Sequence, residues 1–374
     1  MKIGIDISAA FKSERTGVEE YVFKLIENIA KLQEAKEHEF VLYVRSFTPG
    51  IFGQNPEKFR SLFEANFGMH LSPNFKLVPL YSPFFWRTLR LALHLLRKRP
   101  DVLFMPAHVL PLFSPKHSVV MIHGLEYERY PQFYSRFSFN HLRKATRYSS
   151  KKSIKIITPS ESTKNDLIML YQVQPFKIQV VHHGVDEMKK ETNCSLSFKY
   201  ILYIGRLELK KNVQGLLEVF DLLKREDQIP HKLMLVGPEG FGSELIKEII
   251  DNHHFKKDII VKGHISEEEK IKFMSCADLL AMPSFYEGFG LPVLEAQKLG
   301  IPVMCSGNSA LVEIVGEGGV FVNSGNIIND KQKILEALTN EEIRQRLIRD
   351  GKENVKKYTW TKCAKETLDI LLSS

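Results

Sequence analysis

The sequence predicts an α/β protein of two domains, each a mostly parallel sheet flanked by helices. Three observations carry this. Apolar runs of strand length alternate along the chain with helical segments, the rhythm of parallel strands covered on both faces. A polar, strand-poor stretch at residues 187–197 breaks the rhythm, which then resumes. The 374 residues exceed one ordinary core and suggest two domains of about 180 residues each. The expected layout is a first domain at 1–186, a linker at 187–198, a second domain at 199–357 and a closing helical segment at 358–374.

In the first domain, strand patterns occupy residues 2–7, 40–44, 75–80, 102–105, 119–122, 154–158 and 178–181. After the first strand and a loop, Gly17 introduces a helix whose apolar face runs through Tyr21, Leu25 and Ile29. Gly17 would admit a phosphate or a sugar at that helix start, or would simply turn the chain. Residues 84–99 read as an amphipathic helix. At 100° per residue, Arg87, Arg90, His94, Arg97 and Lys98 share one arc, and Phe85, Leu89, Ala92 and Leu96 lie opposite. Either the apolar side packs on the sheet with the cationic face in water, or that face meets an anionic membrane or acceptor. His123 ends the strand at 119–122, just before Gly124, where open α/β sheets place their ligands. A structural role is the alternative for it. The pairs His182–His183 and His253–His254 lack further ligands at metal spacing and read as structural.

Strand patterns of the second domain occupy residues 200–204, 232–236, 258–261, 279–282, 301–305 and 320–322. The first runs into GRLELKKN, Gly205 to Asn212, which places Arg206 and Lys211 ahead of a helix starting at Val213. A cationic loop feeding a helix start suits a diphosphate, with solvated surface charge as the alternative. The organising stretch is SFYEGFGLPVLE, residues 284–295. Glu287 and Glu295 stand with seven residues between them, separated by Gly288, Phe289, Gly290, Leu291 and a proline, Pro292, suited to a first helical turn. The glycines let the backbone approach a ligand, and the helix opening near Leu291 points N–H groups and a positive dipole end at it. The carboxylates would flank a phosphate and accept hydrogen bonds from hydroxyl pairs, one on a sugar ring and the other on a ribose. Helical patterns at 341–357 and 360–372 close the chain.

Composition narrows the classes. Hydrophobic content of 44% and charged content of 26% are those of a globular chain. The four cysteines, Cys194, Cys276, Cys305 and Cys363, show neither a metal spacing nor a disulfide framework, and read as buried small apolar residues in a reducing cytoplasm. The start MKIGIDIS lacks a signal-peptide pattern, and no uncharged apolar run is long enough to span a membrane. The net charge of +8 favours polyanions without choosing between nucleotide, nucleic acid and lipid surface. No Asp-x-Asp pair occurs, so the usual carboxylate grip on a nucleotide-bound divalent ion is missing and fixed cations must substitute.

Together these residues resemble the retaining nucleotide-sugar glycosyltransferases of family four, which have two facing Rossmann-like domains, the GT-B fold, with a cleft between them. Their Glu-x7-Glu element is matched by Glu287 and Glu295, and their arginine and lysine in a GR…KN loop by Arg206 and Lys211. TGVEEYV at residues 16–22, PAHVLPL at 106–112, VVMIHGLEYERYP at 119–131, TPSESTKNDLIMLY at 158–171 and VVHHGVD at 180–186 are also similar to the family. The chain departs from it in having His123-Gly124 where many members have His-Asp, and Gly17 alone where many have a double glycine.

The resemblance implies that Glu295 holds the ribose hydroxyls, and that Arg206 and Lys211, beside Gly205, hold the diphosphate. Glu287 and the amides of Gly288 to Gly290 would hold the sugar hydroxyls and phosphate, and His123 would contact the transferred sugar. The final helix would cross back to the first domain. The implied reaction moves a hexose from a UDP- or GDP-linked donor to a glycan, lipid-linked or lipopolysaccharide hydroxyl, with retention, no cofactor, no metal and no nucleic acid partner. The implied location is the cytoplasm, with attachment to the inner membrane face through Arg87, Arg90, Arg97 and Lys98 as a separate expectation. The alternatives are a nucleotide-sugar epimerase, a phosphorylase, for which no cofactor-lysine environment is evident, and a non-catalytic nucleotide- or lipid-binding module.

Overall fold

The computed structural model describes residues 1–11, 17–46, 60–61, 64–65, 68, 70–82, 84, 86–192, 194, 196–323 and 326–374. The chain forms two compact units. Met1–Glu128, Arg136–Gly184 and Tyr358–Ser374 make the first, and Arg129–Ser135 with Val185–Lys357 makes the second.

Among the described residues of the first unit, seven strands form one sheet: β1 (Lys2–Asp6), β2 (Glu39–Ser46), β3 (Phe75–Tyr81), β4 (Val102–Met105), β5 (Ser118–Met121), β6 (Lys155–Thr158) and β7 (Ile178–Val180). Their order is β3-β2-β1-β4-β5-β6-β7, with every neighbouring pair parallel. β4 and β5 are buried along their whole length, which is why they read as unbroken apolar runs rather than alternating ones. The chain steps from β1 to one side and later to the other, so the carboxyl ends of β1 and β4 form a topological switch point. Helix α1 (Gly17–Ile29) begins at the expected glycine and buries Tyr21, Val22, Leu25, Ile26 and Ile29.

The basic segment differs from its expected form. Trp86–Leu91 winds as a π-helix and passes into α2 (Ala92–Arg97). The i→i+5 winding advances less than 100° per residue, so the assumed faces do not hold. Trp86, Leu91, Ala92 and Leu95 are buried, while Leu89, Leu93 and Leu96 stand 50%, 47% and 44% exposed. Arg87 is not on an outer cationic face. Its Nε lies 2.8 Å from Oδ2 of Asp6, a carboxylate only 1% exposed, and Trp86 Nε1 donates to Oδ1 of the same group at 3.2 Å. A buried carboxylate demands such partners. Arg97 and Lys98 are exposed as expected, and Arg90 donates from Nε to Tyr81 O. Phe85 lies outside the described residues. Further along, α3 (Arg136–Lys152) and α4 (Glu161–Tyr171) follow, the latter capped by Ser160, whose Oγ accepts from Thr163 N at 3.2 Å.

The described residues of the second unit form a six-stranded sheet: β8 (Tyr200–Ile204), β9 (Lys232–Val236), β10 (Ile259–Lys262), β11 (Leu279–Met282), β12 (Val303–Ser306) and β13 (Gly319–Val322). The order is β10-β9-β8-β11-β12-β13, again all parallel, with the switch between β8 and β11. The helices are α5 (Val213–Glu226), α6 (Ser243–Asp251), α7 (Glu267–Ser275), α8 (Leu291–Leu299), α9 (Ser309–Val315), α10 (Ile327–Thr339) and α11 (Glu341–Asn354). One apolar cluster joins Leu217 and Phe220 of α5 to Leu235 and Ala281, and another joins Val293 and Leu299 of α8 to Leu202, Met234 and Cys305. Both faces of the sheet are thereby covered. In each sheet the strands fall within two residues of their predicted ends.

Two features were not foreseen. Arg129–Ser135 belongs to the second unit, where Tyr130 and Phe133 pack on Phe285 with ring centroids 5.6 and 5.7 Å apart. Cys194 and Cys276, 82 residues apart in sequence, form a disulfide with Cα atoms 5.6 Å apart. This corrects the reading of all four cysteines as unpaired, because pairing depends on tertiary proximity that spacing does not show. Cys305 and Cys363 are free and buried. The tail, with α12 (Trp360–Leu372), packs in the first unit, so closely that a Cβ on Gly184 would come within 2.1 Å of Trp360 N. No helix among the described residues is long and apolar enough to cross a membrane.

Candidate functional site

In the second unit, the loops that leave β8 and β11 flank the switch point. The first is built on a backbone contact: Gly205 N donates to Val236 O at 2.9 Å, and Gly237, at φ 140°, lies so near that a Cβ would sit 2.1 Å from Gly205 O. Tyr203 Oη donates to Arg206 O at 2.7 Å, and the Arg206 side chain is exposed. Leu209–Lys211 makes a 3-10 turn into Asn212, whose side chain accepts from Gly215 N and starts α5. This turn delivers Lys211 Nζ to Glu287 Oε1 at 2.6 Å.

The second loop is equally constrained. Glu287 N donates to Ser309 Oγ at 3.0 Å, and Ser309 itself holds a left-handed backbone with φ 52°. Gly290 caps α8 at φ 110°, where a Cβ would meet Leu311 Cδ2 at 2.7 Å, so only glycine fits. Helix α8 starts at Leu291, with Pro292 in its first turn. Glu295 follows on α8 and is gripped by Lys270 of α7, Nζ to Oε1 at 2.8 Å, while the same ammonium lies 2.7 Å from Glu267 Oε2. Burial opposes the charge on Lys270, but the two carboxylates together raise its pKa. An apolar cavity of about 430 Å³, lined by Phe133, Leu209, Phe285, Met304 and Ile334, opens beside these loops without including Arg206, Lys211, Glu287 or Glu295.

In the first unit, the carboxyl ends of β1, β4 and β5 gather Asp6, His108 and His123. His123 Nε2 donates to Pro106 O at 2.8 Å, which leaves Nδ1 as the acceptor nitrogen. Its ring meets Tyr21 edge-on at 5.0 Å, His108 at 5.4 Å and His183 at 5.5 Å between centroids. Burial pushes its pKa down to about 3, His108 adding to the effect, so the ring is neutral near pH 7. Gly17 begins α1 with nothing among the described residues within 4 Å of an added Cβ.

Two family models match consecutive parts of this chain. The one described as Glycosyltransferase Family 4 covers residues 15–189, and the one described as Glycosyl transferases group 1 covers 185–354. The chain belongs to the family-four type of glycosyltransferases. It is 25% identical over 265 residues to the O-antigen chain mannosyltransferase B of Escherichia coli, a span of 68% of this chain and 70% of that relative. Sucrose-phosphate synthase from Thermosynechococcus elongatus superposes with a TM-score of 0.76 at 17% identity, over 100% of this chain and 98% of that one. Anabaena HepE in complex with UDP and glucose superposes at 0.73 with 15% identity, over 100% of both chains. At such identities the likeness is one of fold, the GT-B fold of two parallel-sheet α/β domains.

Within this glycosyltransferase, the second sheet's loops gather Gly205, Arg206, Lys211, Glu287, Gly288, Phe289, Gly290 and Leu291 as the sequence suggested, with Glu295 one turn into α8. His123 and Gly17 belong to the first unit, as does Arg87, which is bonded inward. Lys270 and Ser309 were not anticipated: they act on Glu295 and Glu287 through space, and no spacing announces them. Nor was His108, although it stands inside the PAHVLPL stretch noted for its similarity.

Proposed function

We propose that this glycosyltransferase moves a hexose, mannose being the first candidate, from a UDP- or GDP-linked donor to a hydroxyl of a glycan, lipid-linked glycan or lipopolysaccharide, with retention. The observation that carries the reading is the pairing of Lys211 with Glu287 beside the exposed Arg206 and the opening of α8. That arrangement suits a ligand with a diphosphate on one side and hydroxyls on the other. The diphosphate competes for the Lys211 ammonium while sugar hydroxyls donate to the Glu287 carboxylate, so neither group is left unsatisfied. The names of the E. coli mannosyltransferase and of the UDP-bound Anabaena protein support the same class of donor and product.

In this reading, the bond between the anomeric carbon and the phosphate oxygen breaks as the acceptor oxygen attacks from the same face. The departing phosphate oxygen takes the acceptor's proton. Negative charge grows on the diphosphate, and Arg206, Lys211 and the α8 N–H groups are the proposed groups that stabilise it. Glu295, held by Lys270, accepts from the ribose hydroxyls. For His123 the family resemblance alone supports a contact with the transferred sugar. No protein base is required, and side-chain cations take the place of a metal.

The test is a thermal-shift series with UDP, GDP and their sugars, each with EDTA and with magnesium. A ligand of the native state raises the melting temperature according to its affinity. One base should shift the transition equally in both conditions, and Lys211→Ala should remove the shift. No shift with any nucleotide, or a shift that requires magnesium, would count against the proposal.

A second reading concerns location. Leu89, Leu93 and Leu96 form an exposed stripe at helical spacing, bordered by Arg97 and Lys98. An outward apolar stripe with a basic border suits an anionic lipid surface, and a peripheral membrane position follows.

A further inference from the structure

His108 lies in the turn that leaves β4, beside the switch point of the first sheet. Its backbone is left-handed, with φ 51°, a region unfavourable for a residue bearing a Cβ. Val109 N donates to Ala107 O at 2.6 Å, closing a γ-turn on His108, and the positive-φ form of that turn is rare and strained. The turn is nonetheless fixed, because His108 N donates to Met121 O at 2.9 Å at the end of β5. Its Nδ1 is buried with no hydrogen-bond partner among the described residues.

A strained backbone and an orphaned nitrogen both oppose folding, and a glycine at this position would remove both. The surroundings suggest what offsets them. The imidazole sits 5.4 Å from that of His123, centroid to centroid, and Arg87, bonded to Asp6, is close enough to disfavour its protonation. Burial is the larger influence, and the ring is neutral near pH 7. A neutral imidazole beside a cation already matched by Asp6 does not suit an anion. It suits a hydroxyl, which is uncharged and can both donate and accept.

We propose that His108 is a specificity-determining residue whose imidazole hydrogen-bonds a sugar hydroxyl at the carboxyl end of the first sheet, beside His123. The proposal rests on the glycosyl-transfer reading above. The hydroxyl belongs either to the transferred sugar or to the acceptor, and the assay separates the two.

The experiment compares wild type, His108→Gly and His108→Asn, using GDP-mannose and UDP-glucose as donors and methyl α-mannoside as acceptor. Nucleotide release is measured with and without acceptor, alongside the melting temperature. Glycine accepts the left-handed backbone, so His108→Gly should melt at or above the wild-type temperature yet lose about 30-fold in kcat/KM. Asparagine tolerates the same backbone and keeps a polar side chain that can both donate and accept, so it should restore part of that loss. If the hydroxyl is the donor's, the loss appears in nucleotide release without acceptor; if it is the acceptor's, only transfer falls. His108→Gly with wild-type kcat/KM would overturn the proposal, as would activity and melting temperature falling together in both variants. A wild type that turns over neither donor would instead overturn the underlying reading, and that is visible before any variant is made.

Discussion

Lys211 and Glu287 are bonded to each other, Nζ to Oε1 at 2.6 Å, although 76 residues separate them and they leave different strands of the second sheet. Both side chains are largely buried, so the pair is not a screened surface contact. Its partners are set by two rigid turns, the Leu209–Lys211 turn on one side and the bond from Glu287 N to Ser309 on the other.

A double-mutant cycle on this pair follows directly. Lys211→Met should lower kcat/KM by about 100- to 1,000-fold, the size of effect seen when a preorganised charge is removed from a developing anion. Glu287→Gln should lower it as well. Because each residue positions the other, the double variant should be little worse than the poorer single one. Losses that simply multiplied, measured by steady-state kinetics on folded protein, would show that the two act independently.

Lys270 offers a separate handle, since it touches Glu295 and Glu267. Lys270→Met should raise the donor KM about tenfold with little change in kcat, and should weaken discrimination between a nucleoside diphosphate and its 2′-deoxy analogue. The pKa of Lys270 is raised in the folded protein, so its contribution to stability is complete below the unfolded lysine value, about 10.4, and is lost only as pH rises toward the higher folded value. The stability gap between wild type and Lys270→Met should therefore stay constant from about pH 6 to 9 and narrow in stronger alkali. A gap already closing near neutrality, in denaturant titrations, would show that the ion pair is not its source.

The sequence makes the sheets and the β11–α8 passage readable because their causes are local. Strands such as β4 and β8 are buried on both faces and so are apolar throughout, and Gly290 with Pro292 marks a helix start by backbone chemistry alone. Glu287 and Glu295 stand out by their spacing, and Arg206 and Lys211 as a cationic loop ahead of a helix start. What escaped depends on through-space events. The π-winding at Trp86–Leu91 turned Arg87 inward and the leucines out, and no periodicity count at 100° per residue foresees it. The Cys194–Cys276 bond, the Lys270 grip on Glu295 and the γ-turn at His108 likewise arise only once the chain has folded.

The first unit's histidines predict an acid sensitivity. Burial depresses the pKa values of His108 to about 4 and His123 to about 3, and His183 is also lowered well below its usual range. Tyr21, Arg87, Glu19 and Glu126 surround or act on this group, and the two glutamates only partly counter the burial at His123. With folded values below the unfolded one of about 6.5, the unfolded chain binds more protons in mild acid, so stability is complete above that pH and falls below it. Each histidine contributes at most about 1.4 kcal/mol per pH unit in that window. Denaturant midpoints should decline from pH 7 to 5, and His183→Phe should flatten the decline; an identical slope in that variant would place the acid sensitivity elsewhere.

The exposed stripe of Leu89, Leu93 and Leu96 makes the membrane proposal specific enough to test. A basic face alone would bind anionic vesicles and release them in salt, because surface attraction decays within about 10 Å at 0.1 M ionic strength. An apolar stripe that enters the interface adds a salt-resistant component. Leu93→Glu with Leu96→Glu should therefore abolish the residue of binding that survives high salt, while replacing Arg97 and Lys98 by glutamine should remove mainly the salt-sensitive part. Both pairs belong to the first unit, whereas Lys211, Glu287 and Glu295 belong to the second, so transfer to a water-soluble acceptor should be unchanged in both. Co-sedimentation with phosphatidylglycerol-containing and neutral vesicles measures this. Equal sedimentation of wild type with both, or wild-type binding by the glutamate variant, would remove the lipid surface from the proposal.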